Sequence, residues 1–302
     1  MVLCIGEILA DMICERRIEG IFYKRCLGGA PFNVACAIKK CGGEVAFYGK
    51  VGDDSIGRAL VTTAQKCNLD YLNISTDFDR NTTLAFVDLD ESGDRSFTFY
   101  RKNTADFHLL LDEVCDMIAK ANIVHLGSLM LSEEDGRAFA DGVYREAKRQ
   151  GKKFSFDVNF REDIFRDRAA AIEIYRKYVR CADILKLSES EIGMFSSAAT
   201  YEDALKDIAS DGKFAVLTLG KDGAMYCYEG KCERIETIPL KPIDTTGAGD
   251  AFYGALLSKL DRNGFENLDK SVFFANVCGS ITTTRKGSAE AVPSLEEINQ
   301  YL

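Results

Sequence analysis

Short apolar runs alternate with longer amphipathic segments along most of the chain, and this alternation predicts the fold. The first run, residues 2–5, is wholly apolar and predicts a buried strand that ends at Gly6 and Glu7. Comparable runs predict further strands at residues 45–48, 123–126, 154–158, 184–187 and 215–219. Apolar residues at helical spacing predict helices at residues 31–41, 56–67, 132–150, 168–180 and 200–212.

Residues at the predicted helix ends support these helices. Pro31 suits the first turn of its helix, and Gly42 ends it. Ser132 and the acidic residues that follow it resemble a capping box, which predicts a helix start there.

A second pattern interrupts the alternation of strands and helices. Residues 83–89 and 95–100 alternate with a period of two, and the polar residues 91–94 predict a hairpin turn between them. Residues 12–26 are too short and irregular for a helix. We therefore expect a large α/β body with a mainly parallel sheet covered on both faces, and a small β-sheet that projects as a lid. The predicted body comprises residues 1–11, 27–80 and 104–302, and the predicted lid comprises residues 12–26 and 81–103.

Composition and charge exclude some classes of function. The 302 residues include 38 Lys and Arg against 47 Asp and Glu, a net charge of -9, and no basic run stands out. Nucleic-acid binding is therefore not expected, and phosphate groups would have to be held locally by backbone N–H groups and a few cations. With only two histidines a histidine-rich metal site is excluded, and His125 is expected to be a core residue.

The cysteines and the N-terminal segment indicate the cellular compartment in which we expect the protein. The 11 cysteines are scattered without a Cys-x-x-Cys pair, so reduced thiols in a cytoplasm are the simpler interpretation. The N-terminal segment has no basic stretch and carries Glu7 and Asp11, unlike a signal peptide. No apolar run approaches the ~18 residues of a membrane-spanning helix. We expect a cytoplasmic protein without a membrane partner.

The segment with the clearest chemistry is residues 244–250, Asp-Thr-Thr-Gly-Ala-Gly-Asp. Small and apolar residues follow it, so Gly247, Ala248 and Gly249, here called the anion loop, are expected at a helix N-terminus. Such a loop offers unpaired N–H groups and the positive end of the helix dipole to an anion. Asp250 would repel a phosphate, which indicates a general base that accepts a hydroxyl proton during phosphoryl transfer. The alternative is that Asp250 only complements the helix dipole.

Two parts of the chain resemble the signatures of ribokinase-like sugar kinases of the phosphofructokinase-B type. Residues 244–250 resemble the C-terminal signature, and residues 28–35 with 49–57 resemble the N-terminal one. The chain has no P-loop, no Gly-x-Gly-x-x-Gly fingerprint and no protein-kinase catalytic loop. Fructokinases are the most similar branch, through the segments at residues 6–11, 85–90, 97–101, 157–161 and 186–191. The resemblance, which covers essentially the whole chain, implies a three-layer ribokinase-like α/β/α fold with a small β-sheet lid.

The resemblance also implies roles for individual residues. Asp250 would deprotonate the sugar hydroxyl, and the anion loop would bind the transferred phosphoryl group. Arg101 would act on the sugar or on the phosphoryl group, where a cation stabilises spread charge. The sugar hydroxyls would bind Asp11, Gly28, Gly29 and Asn33. Without these functions the glycines would form a plain turn, and Asn33 and Arg101 would be solvated.

For the nucleotide, the resemblance implies a site after a parallel strand, where such sheets place their ligands. Asn159 would face the nucleotide phosphates or the metal shell, and Glu191 would organise Mg²⁺ and its waters. Ser188 stands where the family more often has asparagine. The remaining implied ATP-binding positions are Thr218, Gly220, Gly223 and Asn276, with Gly247 and Gly249 of the anion loop. A turn without function is the alternative for residues 218–223.

A monovalent cation such as potassium is also implied, although not all members of the family use one. Asp244 and Thr246, with the backbone carbonyls of Thr282, Arg285 and Gly287, would form its site beside the anion loop.

We therefore predict an enzyme that transfers a phosphoryl group from Mg-ATP to a sugar, with fructose to fructose 6-phosphate as the leading reaction. Alternative acceptors are ribose, a riboside or nucleoside, and a keto-deoxy sugar acid. The alternatives of another class are a sugar- or nucleotide-binding protein without catalysis and a nicotinamide-dependent oxidoreductase. The predicted partners are the sugar and ATP, and a homodimer through the lid is a hypothesis.

Overall fold

The computed structural model describes residues 1–17, 20–89, 95–209 and 212–302. The strands are β1 Val2–Ile5, β2 Leu9–Arg17, β3 Gly20–Gly28, β4 Val45–Gly52, β5 Tyr71–Asp77, β6 Leu84–Leu89, β7 Arg95–Tyr100, β8 Ile123–Leu126, β9 Lys153–Asp157, β10 Ile184–Ser188, β11 Phe214–Thr218, β12 Ala224–Tyr228 and β13 Lys231–Ile235. The helices are α1 Ala30–Lys40, α2 Ser55–Gln65, α3 Cys115–Lys120, α4 Glu134–Arg149, α5 Arg168–Cys181, α6 Glu189–Ile192, α7 Tyr201–Ile208, α8 Ala248–Asn263, α9 Leu268–Thr282 and α10 Leu295–Asn299.

A large sheet forms the centre of the molecule. Within the described residues it has nine strands in the order β13-β12-β11-β10-β9-β8-β1-β4-β5. Neighbouring strands from β11 to β5 are parallel, as the alternation of strands and helices predicts, whereas β12 and β13 pair antiparallel at one edge. The sequence pattern predicted neither these two strands nor β5 at the opposite edge.

Apolar side chains fill both faces of this sheet. In β1, Val2 and Cys4 pack into one core with α1, α8 and α9, while Leu3 and Ile5 pack into a second core with α4, α5 and α7. This is the side-chain alternation of a strand that is buried on both sides. The three-layer α/β/α fold is therefore confirmed. Among the described helices, none is both long and apolar enough to cross a membrane.

A smaller mixed sheet has the order β3-β2-β6-β7 in the described part of the chain. β2 pairs antiparallel with β3 and parallel with β6, and β6 pairs antiparallel with β7. The predicted hairpin turn at residues 91–94 lies outside the described residues. β2 and β3 replace the irregular segment that the sequence suggested at residues 12–26. The division of the chain into a body and a lid stays a prediction.

Two local predictions are wrong. Ser132 does not cap α4, which begins at Glu134 without a side-chain cap; the Ser132 hydroxyl donates to the Leu129 carbonyl and accepts from Arg101. Cys227 and Cys232 lie directly opposite each other on β12 and β13 and form a disulfide, so not all thiols are reduced.

Candidate active site

The candidate site lies where the central parallel strands end and the small sheet begins. Glu7 stands between the end of β1 and the start of β2, and Asn159 follows the end of β9. β3 ends at Gly28, and α1 follows almost at once. The carboxyl ends of parallel strands meet at one edge of a sheet, so these segments converge there.

The anion loop is at the N-terminus of α8, as the sequence predicts. Gly247 is the N-cap residue, with a left-handed φ of 71°, and a side-chain carbon on it would lie 2.8 Å from the Ser288 Cα. Glycine is required here because both the conformation and the space exclude a side chain. The Ala248 N–H donates to the Thr245 carbonyl over 3.3 Å, and the other first N–H groups of α8, which have no partner within the helix, can bind an anion.

Asp250 lies in the first turn of α8 and is half-buried. The Asn33 Nδ2 donates a 2.8 Å hydrogen bond to the Asp250 Oδ2, which joins α1 to α8. Burial raises the pKa of Asp250, although Asn33, Lys186 and Arg161 act in the opposite direction. A carboxylate that is fixed by an amide, with a raised pKa, is a suitable acceptor for a hydroxyl proton.

The glycines at residues 28 and 29 bring the backbone against the Asp11 carboxylate and the main-chain carbonyl of Glu7. A side-chain carbon on Gly28 would lie 2.2 Å from the Asp11 Oδ2. At Gly29, where φ is 113°, it would lie 2.3 Å from the carbonyl oxygen of Glu7. These glycines therefore permit a close approach of two chain segments, and a plain turn does not account for them.

We expect Gly29→Ala to destabilise the protein by more than about 2 kcal/mol, because it adds a clash to an unfavourable φ. Gly151→Ala is the matched control, since Gly151 also has a positive φ but has no atom near its Cβ position; it should cost only about 1 kcal/mol. Urea unfolding of both variants tests this. Equal costs would contradict the proposed close approach.

Arg101 is buried rather than solvated. Its Nε donates to the Asp106 Oδ2 over 2.7 Å, its Nη1 donates to the Ser132 Oγ over 2.6 Å, and its guanidinium lies 5.0 Å from the Phe107 ring centroid. Asp106 also accepts hydrogen bonds from two threonine hydroxyls. The arginine is thus held rigidly at the end of β7.

Three buried polar atoms in this region have no hydrogen-bond partner in the described structure: the Glu7 Oε2, the Asn33 Oδ1 and the Arg101 Nη2. The other carboxylate oxygen of Glu7 accepts from the Ala30 N–H at the start of α1. Burial raises the pKa of Glu7 to about 8, against the opposing charge of Arg101. Buried polar atoms normally find partners, so these atoms suit hydroxyl groups of a polar ligand. The sequence alone indicated no role for Glu7, although its position directly after a buried strand was a usable signal.

Glu191 connects the ends of two neighbouring strands. Its Oε1 accepts from the Phe160 N–H after β9, and its Oε2 accepts from the Ser188 N–H at the end of β10, each over 2.7 Å. Each oxygen retains a second lone pair, so the carboxylate fits an indirect contact with Mg²⁺ through water. Asn159 lies close by with a positive φ of 35°, and its carbonyl accepts from the Ser128 hydroxyl.

The predicted nucleotide turn follows β11. The Thr218 hydroxyl donates to the Leu187 carbonyl, and Gly220 and Gly223 both have positive φ. A side-chain carbon on Gly223 would lie 2.1 Å from the Ile235 carbonyl oxygen. Asn276 donates both side-chain hydrogen bonds to carbonyls at the end of β13. Its amide therefore fixes that backbone, and its predicted place beside adenine stays a prediction.

The residues predicted to hold a monovalent cation also meet. The Asp244 Oδ1 accepts from both the backbone N–H and the hydroxyl of Thr246, and its Oδ2 accepts from the Gly287 N–H over 3.2 Å. The Thr282 carbonyl accepts from the Arg285 N–H. Asp244 thus joins the segment before α8 to the segment after α9.

Lys186 and Asp157 form an ion pair next to Gly249 of the anion loop. Neither residue has a role that the sequence alone indicated. Nearby, His125 is buried beside Ser155, and burial together with Lys186 lowers its pKa to about 3. His125 is therefore a neutral core residue, as predicted.

Comparison with known proteins identifies the family. The model of the pfkB family carbohydrate kinases matches residues 1–295. Probable fructokinase-7 of Arabidopsis thaliana is 35% identical over 316 residues, which cover 100% of this chain and 92% of the relative. Fructokinase with bound ATP from Xylella fastidiosa has a TM-score of 0.91 and 27% identity over 99% of this chain and 97% of its own.

A double mutant of fructokinase from Vibrio cholerae O395, in a form with bound fructose, ADP and potassium, has a TM-score of 0.89. It is 32% identical over 100% of this chain and 97% of its own. These likenesses extend over the whole fold, including both predicted signatures. The chain belongs to the pfkB family of carbohydrate kinases.

Proposed function

We propose that this kinase transfers the γ-phosphoryl group of ATP to the 6-hydroxyl of fructose, giving fructose 6-phosphate and ADP. The observation that carries the proposal is the hydrogen bond between Asn33 and Asp250 beside the anion loop. It joins a sugar-binding helix, a base and a phosphoryl site within one turn of α8.

In this mechanism Asp250 accepts the proton of the sugar hydroxyl as its oxygen attacks the γ-phosphorus. The bond from that phosphorus to the β,γ-bridging oxygen breaks, and ADP keeps the electron pair. The N–H groups of the anion loop stabilise the oxygens of the transferred group. Asn33 fixes the direction of the Asp250 carboxylate, so most of the rate enhancement comes from positioning and electrostatics.

The residues around the site fit the proposed cofactors. When bound, Mg²⁺ would neutralise charge on the ATP phosphates, and the Glu191 carboxylate would hold it through water. Residues 218–223, Asn159, Ser188 and Asn276 would contact the nucleotide. The cluster around Asp244 would take a potassium ion, in line with the potassium-bound relative.

The acceptor is proposed from the polar groups around it. The free atoms of Glu7, Asn33 and Arg101 offer both donors and acceptors, which suits a neutral polyol. A keto-deoxy sugar acid would need a cation for its carboxylate, and the Arg101 guanidinium is already paired with the buried Asp106 carboxylate. The named fructokinase relatives point to fructose in preference to ribose or a nucleoside.

A coupled assay of ADP release with a panel of sugars and nucleosides tests this function. We expect a kcat/KM for fructose at least about tenfold above those for ribose and ribosides, because a misplaced hydroxyl leaves buried polar groups unpaired. A preference for ribose or a riboside would refute the acceptor and keep the kinase. ADP release that no sugar or nucleoside increases would refute the proposed transfer.

A further inference from the structure

Lys186 and Asp157 form a buried ion pair directly below the anion loop. The two residues are opposite each other in the register of the parallel strands β9 and β10. The Lys186 Nζ donates to both Asp157 carboxylate oxygens, over 2.9 and 2.7 Å. Both side chains are less than a tenth exposed.

The ammonium group lies against the first turns of α8. A side-chain carbon on Gly249 would lie 3.5 Å from the Lys186 Nζ, and the ring of Tyr253, one turn further on, is centred 5.9 Å from it. The Lys186 ammonium group therefore lies close to the backbone of the anion loop at Gly249.

Three carboxylates surround this cation. Burial alone would lower the pKa of Lys186, but Asp157, Glu191 and Asp250 together raise it. Burial raises the pKa of Asp157 to about 6, although Lys186 opposes that effect. A buried ion pair is seldom more stabilising than apolar residues of similar volume. Stabilisation of the fold therefore does not by itself explain this ion pair.

We propose that Lys186 is a positioning residue for phosphoryl transfer: held by Asp157, it balances the carboxylates below the anion loop and keeps Asp250 ready to accept a proton. The proposal rests on the proposed function of the same site. The Lys186 charge is fixed in place before substrates bind, so it needs no reorganisation during the reaction.

The test compares the acid limb of kcat/KM for fructose, at saturating Mg-ATP, between single variants. The charged groups around Asp250 and Lys186 are Asp157 on β9, Glu191 on α6 and Arg161 after β9, while Asn33 of α1 is neutral. Lys186→Met removes a positive charge and should move the limb to higher pH by about one unit. Asp157→Asn removes a negative charge and should move it to lower pH.

Two controls separate this role from a purely structural one. Lys148→Met also removes a lysine held by both oxygens of one aspartate, Asp183, but that pair is partly exposed on the surface; it should leave the profile unchanged. Lys186→Arg keeps the charge and should retain the wild-type acid limb. Shifts of the same sign in both Lys186→Met and Asp157→Asn would overturn the proposal.

The double variant Lys186→Met/Asp157→Leu covers the case in which a single variant does not fold. It removes both charges of the ion pair together, so neither is left buried without its partner, and it should unfold at a urea concentration close to that of the wild type. Its kcat should still fall by about 100-fold, because the loop loses its cation. A folded double variant with a kcat within about threefold of wild type would refute the proposal.

A second measurement distinguishes failure of this proposal from failure of the proposed function. In the free protein labelled with ¹³C at the aspartate carboxyl carbons, the Asp250 signal is assigned by its loss in Asp250→Asn. Its titration midpoint should move up in Lys186→Met and down in Asp157→Asn, whatever sugar the enzyme uses. An unmoved midpoint would overturn the role of Lys186, even if fructose is phosphorylated.

Discussion

Asp250→Asn should reduce kcat by about three orders of magnitude, because asparagine cannot accept the proton of the sugar hydroxyl. The side chain keeps its shape and can still pair with Asn33 after rotation of the amide. Binding of fructose and of ATP should therefore stay within about threefold of wild type. Steady-state kinetics combined with calorimetric binding of each ligand separates the two effects.

The exposed residue Asp112 provides the matched control, since Asp112→Asn makes the same chemical change on the surface. It should leave kcat unchanged. The wild-type acid limb should lie above the usual range of an aspartate, because burial raises the pKa of Asp250. Activity is then lost as the pH falls through that raised value, since the protonated base cannot act. An Asp250→Asn variant with near wild-type turnover would contradict the assignment of the base.

Arg101→Met is the second variant with a large expected effect. The guanidinium pairs with the fully buried Asp106, and its loss would leave that carboxylate without a cation. Breaking a buried pair in this way costs about 3–5 kcal/mol. The kcat/KM for the sugar should fall by at least about 100-fold, because the free Nη2 donor is lost as well.

Arg58→Met is the control for the stability term. Arg58 pairs with Asp53 on the surface, where both side chains are largely exposed, so its loss should cost less than about 1 kcal/mol. Arg101→Lys keeps the charge beside Asp106 but cannot reach Asp106 and Ser132 together. We expect it to retain most of the stability and to raise the KM for the sugar. Wild-type KM in a stable Arg101→Lys variant would argue against a contact with the sugar.

The sequence predicted the central strands of the large sheet and the helices between them, because those strands are short and mostly apolar. It did not predict β5, β12 and β13, which lie at or near the sheet edges. β5 and β13 have mostly half-buried or exposed side chains, so a continuous apolar run does not mark them. Ser132 was wrongly predicted as a helix cap, since its local pattern resembles a cap but its hydroxyl contacts Arg101, far away in sequence.

For the site, residues at helix starts and tight turns were predictable, because their chemistry is visible in adjacent residues. Gly247 and Asp250 are examples. Lys186 and Asp157 could not be found in this way, since each lies within or at the end of an apolar strand and only the register of β9 and β10 pairs them. Glu7 needed the fold as well, because its partner Ala30 belongs to a helix that follows two further strands.

The close approach at Gly29 has a mechanical consequence. Gly29 is the single residue between β3 of the small sheet and α1, which carries Asn33 toward Asp250. If the small sheet rotates over a bound sugar, that rotation has to be absorbed at this one linkage or passed on to α1. The orientation of Asn33, and with it the direction of the Asp250 carboxylate, would then respond to closure. Such a linkage would let the enzyme align its base only when an acceptor is enclosed.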